Sequence, residues 1–442
     1  MARLMRKKGF AELEGEGHSL PSPLEENIRS SEIEQERRER ISAGMRRAAA
    51  SGRPIGRPTG KLSNEAIVAK YPAVMEALQG GLGVRVTARE TGVAINTVQK
   101  VRAALAALKA PAPITLVLAA QAGDQMAFDT LARAYRPELL VHCYRMLGSL
   151  HDAEDLVQET LLRAWEKRAT LTSPESYRAW LYRIATNLCL NMLSRAPRRS
   201  LPSETHPQSE VSSPLSPPIR EPIWLEPFPD DFLVGHDISP EDHALQHEHL
   251  TLAFLVALQQ LTPVQRSILL LREVLEWSAA EVADWINLSV PAVNSALQRA
   301  RRALRQRYAA KEAGKSLSEV QALLERYMAL WEQADVPGLV ALMREDAWFT
   351  MPPVPTWFQG RDTIATVFAS RIFTRGRHMR VLPTRANGSP AFAAYQLNAA
   401  TDDYRFAGLF VLDIVGEQIG RLDAFMEPSN LAGFALPISL PA

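Results

Sequence analysis

The stretch SAAEVADWINLSVPAVNSALQRARR, residues 278–302, decides the fold of its part of the chain. Ser278 and the glutamate three residues after it form a capping box, which predicts that a helix starts here. Asn287 predicts a turn, and Ser289 predicts the cap of a second helix whose first turn tolerates a proline. The segment 262–307 is therefore predicted to contain a helix-turn-helix unit.

The second helix of this unit is predicted to read DNA. Val293, Leu297 and Leu304 recur at helical spacing and are expected to be buried, which turns polar and basic groups outward. Amide and hydroxyl side chains can recognise base edges in the major groove, while trailing arginines suit phosphates. The alternative is an arginine-rich helix that is merely solvated. The candidate DNA-reading residues are Ser289, Asn294, Ser295, Gln298, Arg299 and Arg302.

An earlier helix, HDAEDLVQETLLRAW at residues 151–165, is predicted to carry a protein-docking surface. Its apolar positions, among them Ala153, Leu156 and Val157, are expected to face inward. The outward side is acidic, which repels DNA and suits a basic protein partner. This surface, called the acidic ridge below, consists of Asp152, Glu154, Asp155, Gln158 and Glu159.

The next helical stretch, SPESYRAWLYRIATNLCLNMLSR at residues 173–195, interleaves aromatic and arginine side chains. Such a mixture is suited to stacking on unpaired bases while neutralising the phosphate backbone. For any one aromatic residue, packing in the core is the competing interpretation. The candidate residues for single-stranded DNA are Tyr177, Arg178, Trp180, Tyr182, Arg183, Asn187 and Asn191.

Composition shifts divide the chain into several parts. Ten of the thirty prolines lie between residues 196 and 240, so this stretch cannot sustain helix and is predicted to be an extended linker. Beyond residue 316, β-branched and aromatic segments with turn signals predict an α+β domain. The predicted parts are 1–30 (disordered), 31–110 (helical), 113–195 (helical), 196–240 (linker), 241–310 (helical) and 316–436 (α+β).

Bulk properties exclude several classes of protein. The net charge of +1 means that nucleic-acid binding must come from local basic surfaces. Cys143 and Cys189 are expected to be reduced and buried, and without a signal peptide or apolar span the protein is expected to be cytoplasmic, with no membrane partner. His243 and His247 lack the further ligands that a metal site needs, so no metal and no cofactor are expected.

The words DAEDLVQETLLRAW, AWLYRIATNLCLN and SVPAVNSALQRARR resemble the extracytoplasmic-function (group IV) sigma-70-type factors of RNA polymerase. By this resemblance, 113–195 corresponds to region 2 and 241–307 to region 4, and the protein is an alternative sigma factor without enzymatic activity. Core RNA polymerase would bind through its β′ clamp helices at the acidic ridge, and its β flap is the second expected contact. The helix at 173–191 would open the −10 promoter element, and the DNA-reading helix would recognise the −35 element.

The C-terminal segment resembles the SnoaL-like polyketide-cyclase domains, which are α+β cones. The linker word WLEPFPD, residues 224–230, is similar to a motif in sigma factors that carry an extra C-terminal domain. The resemblance implies a regulatory domain with an apolar pocket for a possible small ligand. If the cone is instead an enzyme, Asp346, His378 and Asp423 are its acid/base candidates. The predicted pocket residues are Met351, Trp357, Phe358, Phe368 and Tyr395.

The N-terminal segment 31–110 resembles the DNA-binding tail of serine recombinases, a long helix followed by an arm and a small helix-turn-helix. By this resemblance, two arginines form a minor-groove arm and four polar residues lie on a recognition helix. A segment with no role in DNA binding is the alternative. The candidate accessory DNA contacts are Arg53, Arg57, Asn96, Thr97, Gln99 and Lys100.

The predicted fold is thus multi-domain, with all-α sigma regions 2 and 4, an α+β cone and an additional N-terminal helical unit. Two other functions remain open. One is a DNA-tethered small-molecule enzyme of the SnoaL-like class, and the other is a DNA-binding regulator that acts independently of polymerase. The acidic ridge argues against the second of these, because a simple repressor has no use for it.

Overall fold

The computed structural model describes residues 64–79, 84–94, 97–98, 100–102, 114–219, 221, 223–233, 250–307, 317–374, 378–431 and 433–442. The chain divides into two compact units, Met1–Lys70 and Tyr71–Ala442. The described residues of the first unit form α1 (Asn64–Lys70). The second begins with α2 (Pro72–Gln79) and α3 (Val84–Thr91), so the N-terminal part is helical, as predicted.

Four helices form the central bundle: α4 (Ile114–Gln121), α5 (Gln125–Leu147), α6 (Leu150–Glu166) and α7 (Tyr177–Leu193). The short connection between α5 and α6 depends on Gly148, whose φ of +74° ends α5 in the left-handed region. A Cβ at this position would also displace the side chain of Leu225, so both the backbone conformation and the packing favour glycine here. Ser149 then caps α6 by accepting from the backbone of Asp152 at 3.1 Å.

The inward face of α6 agrees with the sequence prediction. Ala153, Leu156 and Val157 are buried, and they pack into a core that also contains residues of α5 and α7. The outward positions therefore carry the acidic ridge.

The linker is extended over most of its described length, with one short α-helix, α8 (Pro202–Thr205), and one 3-10 turn, Asp230–Leu233. It is nevertheless packed against the rest of the molecule. Ser200 pairs with Trp224 within the linker, and the backbone N–H of Ser209 donates to Trp357 of the C-terminal domain at 2.9 Å. Because its polar groups are satisfied on other segments, this part of the linker is an ordered connector.

The helix-turn-helix block comprises α9 (Leu252–Gln259), α10 (Pro263–Leu269), α11 (Ala279–Trp285) and α12 (Val290–Arg307). The predicted capping box is present: Ser278 accepts from the backbone of Glu281 at 3.2 Å, and the Glu281 carboxylate accepts from the backbone of Ser278 at 2.8 Å. Asn287 adopts a positive φ of +54° in the turn, and Ser289 caps α12 through the backbone of Ala292 at 3.3 Å. The predicted start, turn and cap are confirmed.

The C-terminal domain combines three helices, α13 (Leu317–Glu332), α14 (Val336–Ala341) and α15 (Arg361–Val367), with a mixed sheet. The described strands are β1 (Met343–Thr350), β2 (Trp357–Gln359), β3 (Met379–Ala386), β4 (Ser389–Asn398), β5 (Asp403–Val415), β6 (Gln418–Phe425) and β7 (Ser439–Pro441). They run in the order β2-β1-β6-β5-β4-β3, with β7 pairing with β5, and β1 with β6 is the parallel pair. The α+β prediction is confirmed.

The two faces of this sheet belong to different cores. Phe392 and Phe410 face the interior of the domain, where they stack on each other at 5.0 Å and pack with Trp331 of α13. The alternate residues, such as Ala393 and Leu409, face a second core that also contains the central bundle and the helix-turn-helix block. One continuous apolar core therefore joins three segments of the chain. Within the described ranges, no helix has the length and apolar character needed to cross a membrane.

Candidate nucleic-acid and protein interfaces

Helix α12 presents all of its candidate DNA-reading side chains to solvent. Ser289, Asn294, Ser295, Gln298, Arg299 and Arg302 are exposed. Val293 and Leu297 are buried behind them, as the spacing predicts. Arg301 is ion-paired with Glu273, so it is already engaged within the block. The candidate residues therefore form a row that is accessible to solvent.

Two aromatic candidates on α7, which were expected to stack on bases, are buried. Tyr177 and Tyr182 are only 4 % and 2 % exposed. Tyr177 packs edge-on against Tyr135 at 5.4 Å, and Tyr182 packs edge-on against His142 at 5.0 Å. Burial raises the pKa of both tyrosine hydroxyls. In this arrangement neither ring is accessible to a base, because each fills the core of the central bundle.

The remaining candidates on α7 lie on or near its outer side. Arg183, Asn187 and Asn191 recur every four residues and are exposed along one face. Trp180 is half-buried, and Arg178 forms an ion pair with Glu138 at 2.7 Å. The accessible candidate surface for single-stranded DNA is therefore narrower than the sequence predicts.

The acidic ridge is formed on the outer side of α6. Asp155 and Gln158 are exposed, while Asp152, Glu154 and Glu159 are half-buried. Asp155 lies 3.8 Å from His151.

Asp152 is tied to the linker through a residue that the sequence did not single out. Arg199 is buried and contacts the Asp152 carboxylate at 2.6 Å and the linker carboxylate of Glu226 at 3.4 Å. Nothing in the local sequence of Arg199 indicates this role, because its partners lie 47 and 27 residues away.

The chain matches three protein-family models in the predicted order. Sigma-70 region 2 matches residues 131–199, Sigma-70 region 4 matches residues 251–304, and the SnoaL-like domain matches residues 324–422. The ECF RNA polymerase sigma factor SigG of Mycobacterium tuberculosis is 43 % identical over 319 residues, which are 71 % of this chain and 85 % of the relative. The chain belongs to the ECF sigma factors. It is thus an alternative sigma factor for transcription initiation, which confirms the leading prediction.

Other relatives are more distant. The ECF RNA polymerase sigma factor SigW of Bacillus subtilis is 29 % identical over 184 residues, which are 41 % of this chain and 89 % of the relative. The crystal structure of the extracytoplasmic function sigma factor SigJ of Mycobacterium tuberculosis is 22 % identical, covers 69 % of this chain and 98 % of its own, and has a TM-score of 0.44.

The five residues of the C-terminal domain that were predicted to line a pocket lie in three different surroundings. Met351, Phe358 and Phe368 are buried in the aromatic interior. Tyr395 faces the shared core instead, where its hydroxyl donates to Pro437 at 2.7 Å. Trp357 stacks on a neighbouring tryptophan and donates to the linker. The five residues therefore do not line one cavity.

A cavity does exist at the boundary between the linker and the C-terminal domain. It has a volume of about 310 Å³ and is lined by residues of the segment 206–216 together with Pro355, Thr356 and Phe358. Val211 of the linker packs against the aromatic interior, and Arg371 donates to its carbonyl oxygen at 2.6 Å. Of the predicted pocket residues, Phe358 is the one that lines this cavity.

The three acid/base candidates of the C-terminal domain are not brought together as a catalytic group. Asp346 is exposed, and its hydrogen bond with Arg344 at 2.7 Å lowers the pKa of its carboxyl group. Asp423 is buried and accepts from Thr350 at 2.6 Å, while His378 is exposed at the edge of β3.

A buried arginine joins the central bundle to the helix-turn-helix block. Arg266 of α10 donates to the carbonyl oxygen of Met146 at the end of α5, and to those of Leu258 at 3.0 Å and Gln259 at 3.2 Å. Burial lowers the pKa of its guanidinium group to about 9. Because its partners are carbonyl oxygens without a carboxylate, no charge pattern in the sequence could have revealed this contact.

Several predicted residues lie outside the part of the chain that the structure describes: Arg53, Arg57, Asn96, Gln99, His243 and His247. Of the accessory DNA candidates that are described, Lys100 is exposed and Thr97 is half-buried. Cys143 and Cys189 are both free and buried. Among the described residues, no group of three or more His, Cys, Asp or Glu side chains could hold a metal ion.

Proposed function

We propose that this sigma factor is held in a closed state by its own C-terminal domain, and that opening this state allows it to bind core polymerase and both promoter elements. The observation that carries the proposal is the contact between Tyr182 on α7 and Trp277 before α11, whose rings lie 6.3 Å apart. The two candidate DNA-reading helices thus belong to neighbouring parts of one packed body.

Promoter geometry is incompatible with this closeness. The −35 and −10 elements are about 25 base pairs apart, which is about 85 Å of B-form DNA at about 3.4 Å per base pair. Helix α12 has 18 residues, so it extends only about 27 Å from its start. The central bundle and the helix-turn-helix block must therefore separate before α7 and α12 can reach their elements together.

The acidic ridge is the proposed docking site for the β′ clamp helices, and the helix-turn-helix block is proposed to meet the β flap. The test is to mix the full chain with core RNA polymerase and compare Asp155→Arg with the native protein. The Asp155 side chain is 60 % exposed, so reversing its charge leaves the core intact. We expect tight binding by the native protein and a loss of at least tenfold in the variant.

A matched control is Glu345→Arg, which makes the same charge reversal on a side chain of the C-terminal domain that is 90 % exposed. This variant is expected to bind polymerase as the native protein does. Equal binding by all three proteins would show that the acidic ridge is not the docking site.

The C-terminal domain is proposed to act by packing and not by catalysis. Its interior is filled by aromatic side chains, and the acid/base candidates are spread between surface and core. A small molecule that enters the cavity of about 310 Å³ would contact the linker and the domain at once. Such a ligand would regulate the protein through its different affinities for the closed and open states.

The N-terminal helical unit is proposed to add an accessory DNA contact. The exposed Lys100 supports this role, since a basic side chain on the surface of a helical segment suits a phosphate. Lys100→Glu is expected to weaken promoter binding by the polymerase complex without changing the preference for the −35 sequence.

A further inference from the structure

The turn between β3 and β4 is formed by Asn387 and Gly388. Both have positive φ, at +55° and +68°, and they connect a hairpin whose last pair is Ala386 with Ser389. Asn-Gly is the preferred sequence for such a two-residue turn. The backbone geometry alone would accept several residues, including glycine, at position 387.

The side chain of Asn387 goes beyond this local role. It is fully buried, and its Nδ2 donates to the Tyr144 hydroxyl at 2.7 Å and to the carbonyl oxygen of Leu250 at 2.9 Å. Its Oδ1 accepts from the backbone N–H of Phe228 at 3.0 Å. The Leu250 carbonyl oxygen can only accept from this amide and the Phe228 N–H can only donate to it, so the partners themselves determine which way the amide points. The carbonyl oxygen of Phe228 also accepts from the backbone N–H of Asn387 at 2.9 Å.

These hydrogen bonds connect four separate segments. Tyr144 belongs to α5 of the central bundle, Leu250 precedes α9 of the helix-turn-helix block, and Phe228 lies in the linker. The Tyr144 hydroxyl in turn donates a hydrogen bond to the carbonyl oxygen of Glu226 at 2.7 Å, which adds a second linker residue to the network.

A further linker residue, Asp230, also binds this turn. Asp230 is buried, and its carboxylate accepts from the backbone of Gly388 at 2.7 Å and from Arg385 at 3.1 Å. Both residues of the turn are therefore engaged by the linker.

We propose that Asn387, with Tyr144, Phe228 and Leu250, forms an interdomain latch that makes the closed state an all-or-none arrangement. A buried amide that loses one partner is left with unsatisfied groups, which is unfavourable. The central bundle, the linker, the helix-turn-helix block and the β3–β4 turn are therefore expected to separate in one step. Once they have separated, the amide and the phenol are hydrated, so the latch can open and close again. This inference rests on the closed state proposed above.

The test uses the full chain and the substitution Asn387→Gly. Glycine keeps the positive φ of the turn and removes the side-chain amide with its three hydrogen bonds, so the hairpin and the backbone bond from residue 387 to Phe228 are retained while the side-chain latch is lost. Each lost hydrogen bond corresponds to roughly a fivefold change in the opening equilibrium. The matched control is Asp402→Gly, which replaces another residue of positive φ, +49°, at an exposed turn of the same domain.

Two measurements are made, the radius of gyration by small-angle X-ray scattering and the affinity for core polymerase. Asn387→Gly is expected to increase the radius and to tighten polymerase binding by roughly tenfold or more, while Asp402→Gly changes neither. Tyr144→Phe removes one of the same bonds together with the bond from Tyr144 to Glu226, and it is expected to increase the radius in the same direction. The effect of combining Asn387→Gly with Tyr144→Phe should be smaller than the sum of the two separate effects, because both substitutions remove the same hydrogen bond.

The two measurements separate the latch from the proposed function. An unchanged radius for Asn387→Gly, with its circular dichroism and melting temperature preserved, would overturn the latch whatever the polymerase data show. A larger radius for Asn387→Gly but not for Asp402→Gly would support the latch, even if neither the native protein nor its variants bound polymerase. That absence of binding would instead count against the proposed docking site.

Discussion

Helices α7 and α12 are the two candidate DNA readers, and they present their side chains in opposite ways. Every candidate on α12 is exposed. On α7, Tyr177 and Tyr182 are buried, and only the polar residues and part of Trp180 reach the surface. The difference follows from their surroundings, since α12 packs through one apolar stripe whereas α7 lies among helices of the bundle and beside the helix-turn-helix block.

This comparison teaches that residue type alone does not identify a DNA-reading side chain. Polar side chains at helical spacing are reliably outward, because burying them unpaired is costly. Aromatic side chains are equally suited to a core and to base stacking, so their role depends on what packs against the helix. The predictions below test this contrast, beginning with the largest expected effect.

The buried face of α7 is tested by Tyr182→Ala. Removing a ring from a filled core is expected to lower the free energy of unfolding by about 3–5 kcal/mol, as measured by urea denaturation. Asn187→Ala, on the exposed face of the same helix, is the control and should change stability by less than about 0.5 kcal/mol. Equal stability of the two variants would mean that Tyr182 does not belong to the core.

The same face predicts a pH dependence through His142, which is buried against Tyr182 and bonded to Thr186 at 2.6 Å. Burial lowers the pKa of His142 to about 3, so between pH 6.5 and 3 the unfolded chain binds a proton that the folded chain does not. Above pH 6.5 the titration of His142 costs the folded state no stability. Below pH 6.5 it lowers the free energy of unfolding by about 1.4 kcal/mol per pH unit, which is about 2 kcal/mol at pH 5.

Thermal or urea unfolding at pH 7 and pH 5 measures this loss. His142→Gln can still bond to Thr186 but cannot titrate, so its stability should change less over the same interval. If the variant lost as much stability as the native protein, other groups would have to be responsible.

The exposed face of α12 is tested by Gln298→Ala. Loss of one base-reading side chain is expected to cost roughly 1.5 kcal/mol, or about tenfold, in binding of the polymerase complex to its promoter. The effect should disappear on a promoter whose −35 element has been scrambled, and stability should be unchanged. A loss that persisted on the scrambled promoter would indicate a contact to phosphates.

The smallest expected effect belongs to Trp180, the aromatic residue of α7 that is half-buried. Trp180→Ala should weaken opening of the −10 element by about 1 kcal/mol, or about fivefold, because one base loses a stacking partner. Permanganate reactivity of unpaired thymines reports the opening. An unaltered pattern, with a lowered melting temperature, would place Trp180 with Tyr182 among the core residues.

Local sequence was sufficient where neighbouring residues satisfy one another. The capping box at Ser278 and the cap at Ser289 involve partners within three residues, and the turn at Asn287 is a local backbone conformation, so all three could be predicted. The inward face of α6 could be predicted for a related reason, because helical periodicity reports which side is apolar.

The C-terminal domain shows where such reasoning stops. Tyr395 lies on the same face of β4 as Ala393, which belongs to the shared core. Phe392 lies on the opposite face, which points to the interior of the domain. Both faces of this strand are buried, so the sequence lacks the apolar-polar alternation that would distinguish inside from outside. The sequence therefore could not predict that Tyr395 faces the shared core.

The sequence by itself determined that this chain is a sigma factor, because family words, caps and helical faces are short-range patterns. Only the tertiary structure decided how its parts are held together. Asn387 and Tyr144 are separated by 243 residues, and the Asn-Gly pair in isolation predicts no more than a hairpin turn. Contacts of this kind depend on surfaces that exist only after each part has folded, and for that reason no local pattern records them.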